Sequence, residues 1–288
     1  MQEAFTHCET LVRAGDKDRF LAALFAPAAH RPAVFSLYAF NLEIARIREV
    51  ARGPLAGEIR LQWWNDVLLG EGRSEAAGHP VVAALLATVA KYGLDRRRLT
   101  ALVNARRFDL YDEPMQTLAD LETYADAVSA NLIALCAQIL DADEVDIGEL
   151  AHHAGNAQAL AGLLIAFAVH ARHGQLYVPL ELLESHGAGR QDVVGDQPPA
   201  LKRASGALRA ALAELRLIAR RHLGQARDLM RTAPAAVKPA FLPVALVPAM
   251  LARMERNDYD PFAPVEITPW RRQWLIWRAC RRPDRIFR

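Results

Sequence analysis

Asp109, Asp112 and Glu113 fall at i, i+3 and i+4, a spacing that would put three carboxylates on one helix face. Carboxylate oxygens are the natural ligands of hard divalent cations. Arg106 and Arg107 precede them, so the plainer expectation is a solvated, charge-balanced face. His170 and His173 lie one turn apart and His186 follows, which permits a zinc guess. With no fourth ligand and no cysteine beside them, structural or surface histidines are expected instead. Asp141, Asp143, Glu144 and Asp146 have the acids of a calcium loop without its order or its glycine, and read as a solvated turn. Arg31, Arg46 and Arg48 could form an anion patch that takes a phosphate without metal. The alternative pairs them with Glu43, Glu49 and Asp18 as ordinary surface charges.

The C-terminal stretch carries a different chemistry. Trp270, Trp274 and Trp277 recur at i, i+4 and i+7, amid Arg271, Arg272, Arg278, Arg281, Arg282, Arg285 and Arg288 with only Asp284 in opposition. Such a segment, 268–288, fits an interfacial helix on an anionic membrane or a docking surface for a membrane-bound partner. The alternative is that the Trp stripe closes a helical bundle while the arginines stay solvated.

The elements that must position these groups are helices. Alternating β-branched runs bounded by tight turns do not occur, while helical spacing recurs throughout, so an almost all-α chain is expected. Val82, Leu85, Leu86 and Val89 form one stripe, ended by Gly93; Ile147, Leu150, Ala154, Ala157, Ala161, Leu164 and Ala168 form another of small residues. Thr117 followed by Asp120 predicts a capping box opening a helix that runs to about Leu140. Further helices are expected at 17–50, 58–70, 95–112, 199–231, 235–255 and 268–281. Trp63 and Trp64 diverge by about 100° on a helix, so one should enter the core and the other stay near the surface.

No linker divides the 288 residues, and 52% are apolar, so a single domain, 1–288, is expected. A net charge of +2 gives no reason to expect nucleic acid as a partner. Cys8, Cys136 and Cys280 show no metal or redox spacing, and the first twenty residues hold no long apolar run, which together predict a cytoplasmic chain without a secretory signal. Residues 151–171 contain no Asp, Glu, Lys or Arg, but His152, His153, Asn156, Gln158 and His170 interrupt them, which predicts a buried central helix rather than a membrane span.

Several segments in order carry a resemblance. The run Ala33–Glu49, the stretch Leu61–Pro114, the stretch Thr117–Leu132, the helix beginning Gly155-Asn156-Ala157-Gln158, and Gly174–Gly187 with its Gly-x-x-Tyr-x-Pro ending resemble the squalene and phytoene synthase family over roughly residues 15 to 255. The resemblance implies an all-α isoprenoid synthase bundle with a central cavity. It implies, too, two facing helices with paired aspartates that hold Mg²⁺ and so stabilise a departing diphosphate. Set on Tyr38-Ala39-Phe40, the first aspartate positions fall at Ala45 and Glu49, with Arg46 where a further Asp often stands. Set on Gly155 and Gly174, the second pair falls at Ala166 and His170, preceded by Ile165. Alanine coordinates nothing and a guanidinium repels Mg²⁺.

The resemblance therefore implies a protein that has lost metal-dependent catalysis, with no catalytic residues, no metal and no cofactor. Within the family it is similar to the branch of assembly factors for respiratory complex I, on Ala39-Phe40-Asn41 with Glu43, Gly155-x-Ala157-Gln158, Val178-Pro179 with Ser185-His186-Gly187, and Phe241-Leu242-Pro243. Complex I subunits or other assembly factors are then the expected partners, at the inner face of the respiratory membrane. The cavity, expected to be lined by Tyr38, Phe40, Asn41, Ala161, Gly162, Ile165 and Tyr177, would hold an isoprenoid or quinone-like lipid. Two alternatives stay open: a farnesyl or geranylgeranyl diphosphate transferase with a rebuilt Mg²⁺ site, and a peripheral lipid-binding protein using Trp270, Trp274, Trp277 and Arg278.

Overall fold

The structure is a computed structural model, and it describes residues 1–71, 78–140, 147–194 and 204–288. Among the described residues every regular element is helical. The acidic run at 141–146 and the start of the helix expected from residue 199 lie outside them.

Local chemistry accounts for many helix ends. Helix α1, Gln2–Gly15, was not among the expected helices; it buries Cys8 and Val12, a stripe too short to stand out in sequence. The expected helix 17–50 is three pieces: α2, Lys17–Ala23, opened by Asp16; α3, Arg31–Ala45; and α4, Ile47–Val50. Helix α5 spans Pro54–Leu69, and its Trp64 is buried while Trp63 stays half-buried, as the 100° step requires. Helix α6, Pro80–Tyr92, begins on proline and ends at Gly93, whose φ of 60° suits a residue without Cβ. Helix α7, Arg96–Ala105, stops short of the expected 112.

Thr117 and Asp120 form the reciprocal capping box, and helix α8, Leu118–Ala125, runs through a π-turn at Asp126–Ala130 into α9, Asn131–Leu140. The central helix α10, Gly148–Ile165, is followed by the short α11, Phe167–Arg172, α12, Leu180–Ser185, and α13, Arg190–Val193. Long helix α14, Gly206–Leu229, packs along α10. The expected helix 235–255 begins instead as a 3₁₀ segment, Ala235–Leu246, because Pro239 and Pro243 cannot donate the i→i−4 bond, and only α15, Val247–Met254, is α-helical. Helix α16, Pro269–Arg281, packs on that 3₁₀ segment and on α2.

Buried apolar side chains from these helices form one connected core. Leu118–Leu140 and Ala235–Met254 are long and apolar enough to cross a membrane, yet 67% and 61% of their most apolar windows are buried within this fold. Gly155, on α10, sits against the π-turn so closely that a Cβ there would lie 2.4 Å from the Ala130 backbone nitrogen.

Candidate functional site

A cavity of about 350 Å³ opens between α10, the π-turn, the 3₁₀ segment and the start of α2. Leu163, Leu246, Val247 and Met250 supply an apolar wall, while Asp16, Asp18, Arg19 and Arg106 bring charge to it. The charges are matched inside the protein. Asp16 accepts from the Arg19 backbone N–H at 3.0 Å and from its guanidinium at 2.7 Å. Burial alone would raise the Asp16 carboxyl, but the Arg19 charge and these bonds hold it below the ordinary range. Asp18 accepts from Arg272 of α16 at 2.6 Å, tying the C-terminal helix to the cavity rim.

Behind His170, a second polar group fills the wall. Tyr177 and Tyr124 each donate a hydroxyl to Oδ1 of Asp109, at 2.7 and 2.8 Å, and Arg106 donates to Oδ2 at 3.1 Å. Asp109 is thus buried rather than solvated, and the chain around it is a 3₁₀ turn, Phe108–Leu110. With no helix there, Asp109, Asp112 and Glu113 share no face, which corrects the expected i, i+3, i+4 arrangement.

Arg48 joins this group from the far side. Its guanidinium donates to the Asp109 carbonyl at 2.6 Å, to Asp112 Oδ1 at 2.8 Å and to the His173 carbonyl at 3.4 Å. A side chain within the first motif segment, between Ala45 and Glu49, is therefore bonded to the segment just past the second. The expected anion patch is not formed: Arg31 caps the Ala26 carbonyl at 2.8 Å, Arg46 is exposed, and Arg48 makes the bonds just given. The alternative pairings are not formed either, since Glu43 meets His79 at 3.5 Å and Asp18 meets Arg272.

The divalent cation that the resemblance implies does not fit these residues. Helix α3 ends at Ala45 and helix α10 at Ile165, so both motif segments break where the aspartates would stand. Ala45 and Ala166 offer no donor, Arg46 offers a positive charge, and Glu49 is exposed. His170 packs its ring 4.6 Å from that of Tyr177. The nearby carboxylates Asp16 and Asp109 are taken up by guanidinium and hydroxyl donors, and Asp18 is paired with Arg272 through Oδ2, which leaves its buried Oδ1 as a single unpartnered oxygen, too few for a divalent cation. No step through Mg²⁺ follows from such a donor set.

Of the residues expected to line the cavity, Gly162 does so, joined by Ala166 and His170. Phe40 is fully buried against Trp64, Ala161 faces the core, Tyr38 and Asn41 are buried in α3, Tyr177 turns to Asp109, and Ile165 is half-buried at the end of α10. His186 bonds Glu214 at 2.7 Å instead of joining His170 and His173. At the other end, Trp270, Trp274 and Trp277 are 69%, 47% and 47% exposed, so α16 closes the bundle with Leu275, Ile276 and Ala279 and leaves its tryptophans outside. Arg278 and Arg281 lie over the Trp274 and Trp277 rings at 4.7 and 5.4 Å.

Burial pushes His170 down to about 4, so it is neutral near pH 7. Unfolding frees it to take a proton at its ordinary 6.5. Its contribution to stability is complete above pH 6.5 and declines as the pH falls toward 4, by at most about 1.4 kcal/mol per pH unit. Glu43, raised to about 7 by burial, acts in the opposite sense, losing stability as the pH rises through 7. His170→Gln should therefore flatten the acid limb of the urea midpoint between pH 6.5 and 4 while leaving the Glu43 slope in place. An unaltered acid limb would place the lability elsewhere.

A profile of the family described as squalene/phytoene synthase matches residues 12–278. The chain is 27% identical over 258 residues to the human protein named NADH dehydrogenase (ubiquinone) complex I, assembly factor 6, covering 90% of this chain and 76% of that one. It is 25% identical over 282 residues to the presqualene diphosphate synthase of Sinorhizobium fredii, covering 96% and 97%. Among solved structures, a dehydrosqualene synthase in complex with ligand superposes with a TM-score of 0.80 at 19% identity, covering 96% of this chain and 95% of that one. A squalene synthase from Alicyclobacillus acidocaldarius gives 0.74 at 23% identity, covering 91% and 96%. These two show that the fold is shared.

Proposed function

Because the chain belongs to the squalene/phytoene synthase family yet keeps only one carboxylate, Glu49, at the four positions where that chemistry needs them, we propose that it is a non-catalytic member serving the assembly of respiratory complex I. The observation that carries this reading is the donor set: alanine at Ala45 and Ala166, a guanidinium at Arg46, and Arg48 reaching across to the His173 segment, in a fold that is otherwise kept. The likeness to the human assembly factor, over nine-tenths of this chain, supports it. Partners are then complex I subunits or other assembly factors, met at the inner face of the respiratory membrane. The exposed Trp270, Trp274 and Trp277, flanked by arginines, are the surface that would meet the membrane or a membrane-bound partner. The finer reading gives the cavity an isoprenoid or quinone-like occupant.

Cells lacking the chain should lose most assembled complex I and its NADH:quinone oxidoreductase activity. Wild-type chain should restore both, while a Trp270→Ala, Trp274→Ala, Trp277→Ala triple variant should restore less and leave the membrane fraction several-fold depleted of the protein. Solvent extraction of the wild-type protein purified from the same cells, followed by mass spectrometry, reports the occupant. Normal complex I in the deletion strain overturns the assembly reading, and a consistently empty protein removes the lipid.

A further inference from the structure

Away from the cavity, three imidazoles meet where α10 packs against α14. His152 and His153 come from α10 and His222 from α14, and one ring nitrogen of each lies within 4.8 Å of the others. The Nδ1 atoms of His153 and His222 are 3.0 Å apart. A tetrahedral Zn²⁺ with Zn–N bonds of about 2.1 Å holds its nitrogens about 3.4 Å from one another, so this pair is already near ligand spacing. His222 is buried, and His152 and His153 are half-exposed, leaving one side of the cluster open.

Carboxylates stand behind two of the rings. Asp126 Oδ1 lies 2.6 Å from His152 Nδ1, and Glu122 Oε1 lies 3.4 Å from His222 Nε2. Each arrangement fixes the tautomer that presents the opposite nitrogen, His152 Nε2 and His222 Nδ1, as a lone pair. Asp126 is itself held by Asn156 Nδ2 at 2.7 Å, and it is the first residue of the π-turn, an irregularity often kept at functional sites. The close seat of Gly155 on Ala130 is what lets α10 bring His152 up to that aspartate.

We infer that His152, His153 and His222, backed by Asp126 and Glu122, form a three-histidine site for an imidazole-preferring transition ion such as Zn²⁺ or Co²⁺, with a fourth position open to water or to a partner's side chain. Three imidazoles with no carboxylate among the ligands select such ions over Mg²⁺ or Ca²⁺. Nothing in this inference depends on the assembly reading, because the site lies on different side chains from the degenerate motifs.

The test is titration of chelator-treated full-length chain with Co²⁺, read by visible absorption and competed with Zn²⁺. One ion per chain is expected, with the bands of a nitrogen-ligated, low-coordinate Co²⁺. His152→Gln and His153→Gln, both at half-exposed positions, should each weaken binding more than 10-fold, and Asp126→Asn by about 10- to 100-fold. His170→Gln and His173→Gln should bind as wild type. Thermal unfolding in chelator checks that each variant is folded, and Zn²⁺ should raise the wild-type midpoint but not that of the His152→Gln, His153→Gln double variant. Absence of Co²⁺ bands, or equal binding by wild type and the double variant, overturns the site.

Discussion

Asp109→Ala should lower stability by about 3–5 kcal/mol, the range found when one partner of a buried ion pair is removed. Asp109 is 8% exposed, and the Arg106 side chain that bonds it is 16% exposed. Alanine would leave that guanidinium with only the Tyr124 hydroxyl at 3.0 Å, and would leave the Tyr177 hydroxyl, which accepts from Gln175 at 3.3 Å, without an acceptor for its own proton. Tyr124→Phe and Tyr177→Phe each remove one hydrogen bond to the carboxylate and should cost about 1 kcal/mol. Urea unfolding of the three variants gives the ranking directly. If Asp109→Ala costs no more than the phenylalanine variants, the carboxylate is not the anchor of the network described above.

Gly155→Ala comes next in size. The new Cβ would meet Ala130 N, Cα and Cβ at 2.4, 2.5 and 2.7 Å, and the first two are backbone atoms that cannot rotate away. Helix α10 would have to withdraw from the π-turn, against a gain of only about 1 kcal/mol from the better helix former. Overpacking of this kind costs about 1–3 kcal/mol and a clash with backbone belongs at the upper end, so a net loss of about 2 kcal/mol is expected, or a thermal midpoint lower by roughly 4–8 °C. Gly162→Ala on the same helix is the control, because a Cβ there meets nothing within 4 Å. Equal stability of the two variants would refute the close contact.

Much of the fold was legible because its rules are local. The Thr117 capping box, the stop at Gly93 and the split between Trp63 and Trp64 depend on a few neighbouring residues, and each stands in the structure as read. The environment of Asp109 was not legible. Its bonds come from Tyr124 and Tyr177, 15 and 68 residues away, and the helix expected to carry it ends at Ala105. The same distance hid the roles of Arg48 and of the histidines. His152 and His153 read as polar interruptions of an apolar stretch, since nothing in their own segment points to His222, 69 residues on. The degenerate motifs were visible for the opposite reason: a missing carboxylate can be read from residue type alone.

The bond between Arg272 and Asp18 joins positions 254 apart. On the ribosome, the first helices must therefore wait with an acidic side chain unmatched until Arg272 has been made. Closure of the bundle at this point has to follow synthesis of α16, and until then the flank of α2 that α16 covers is available to chaperones.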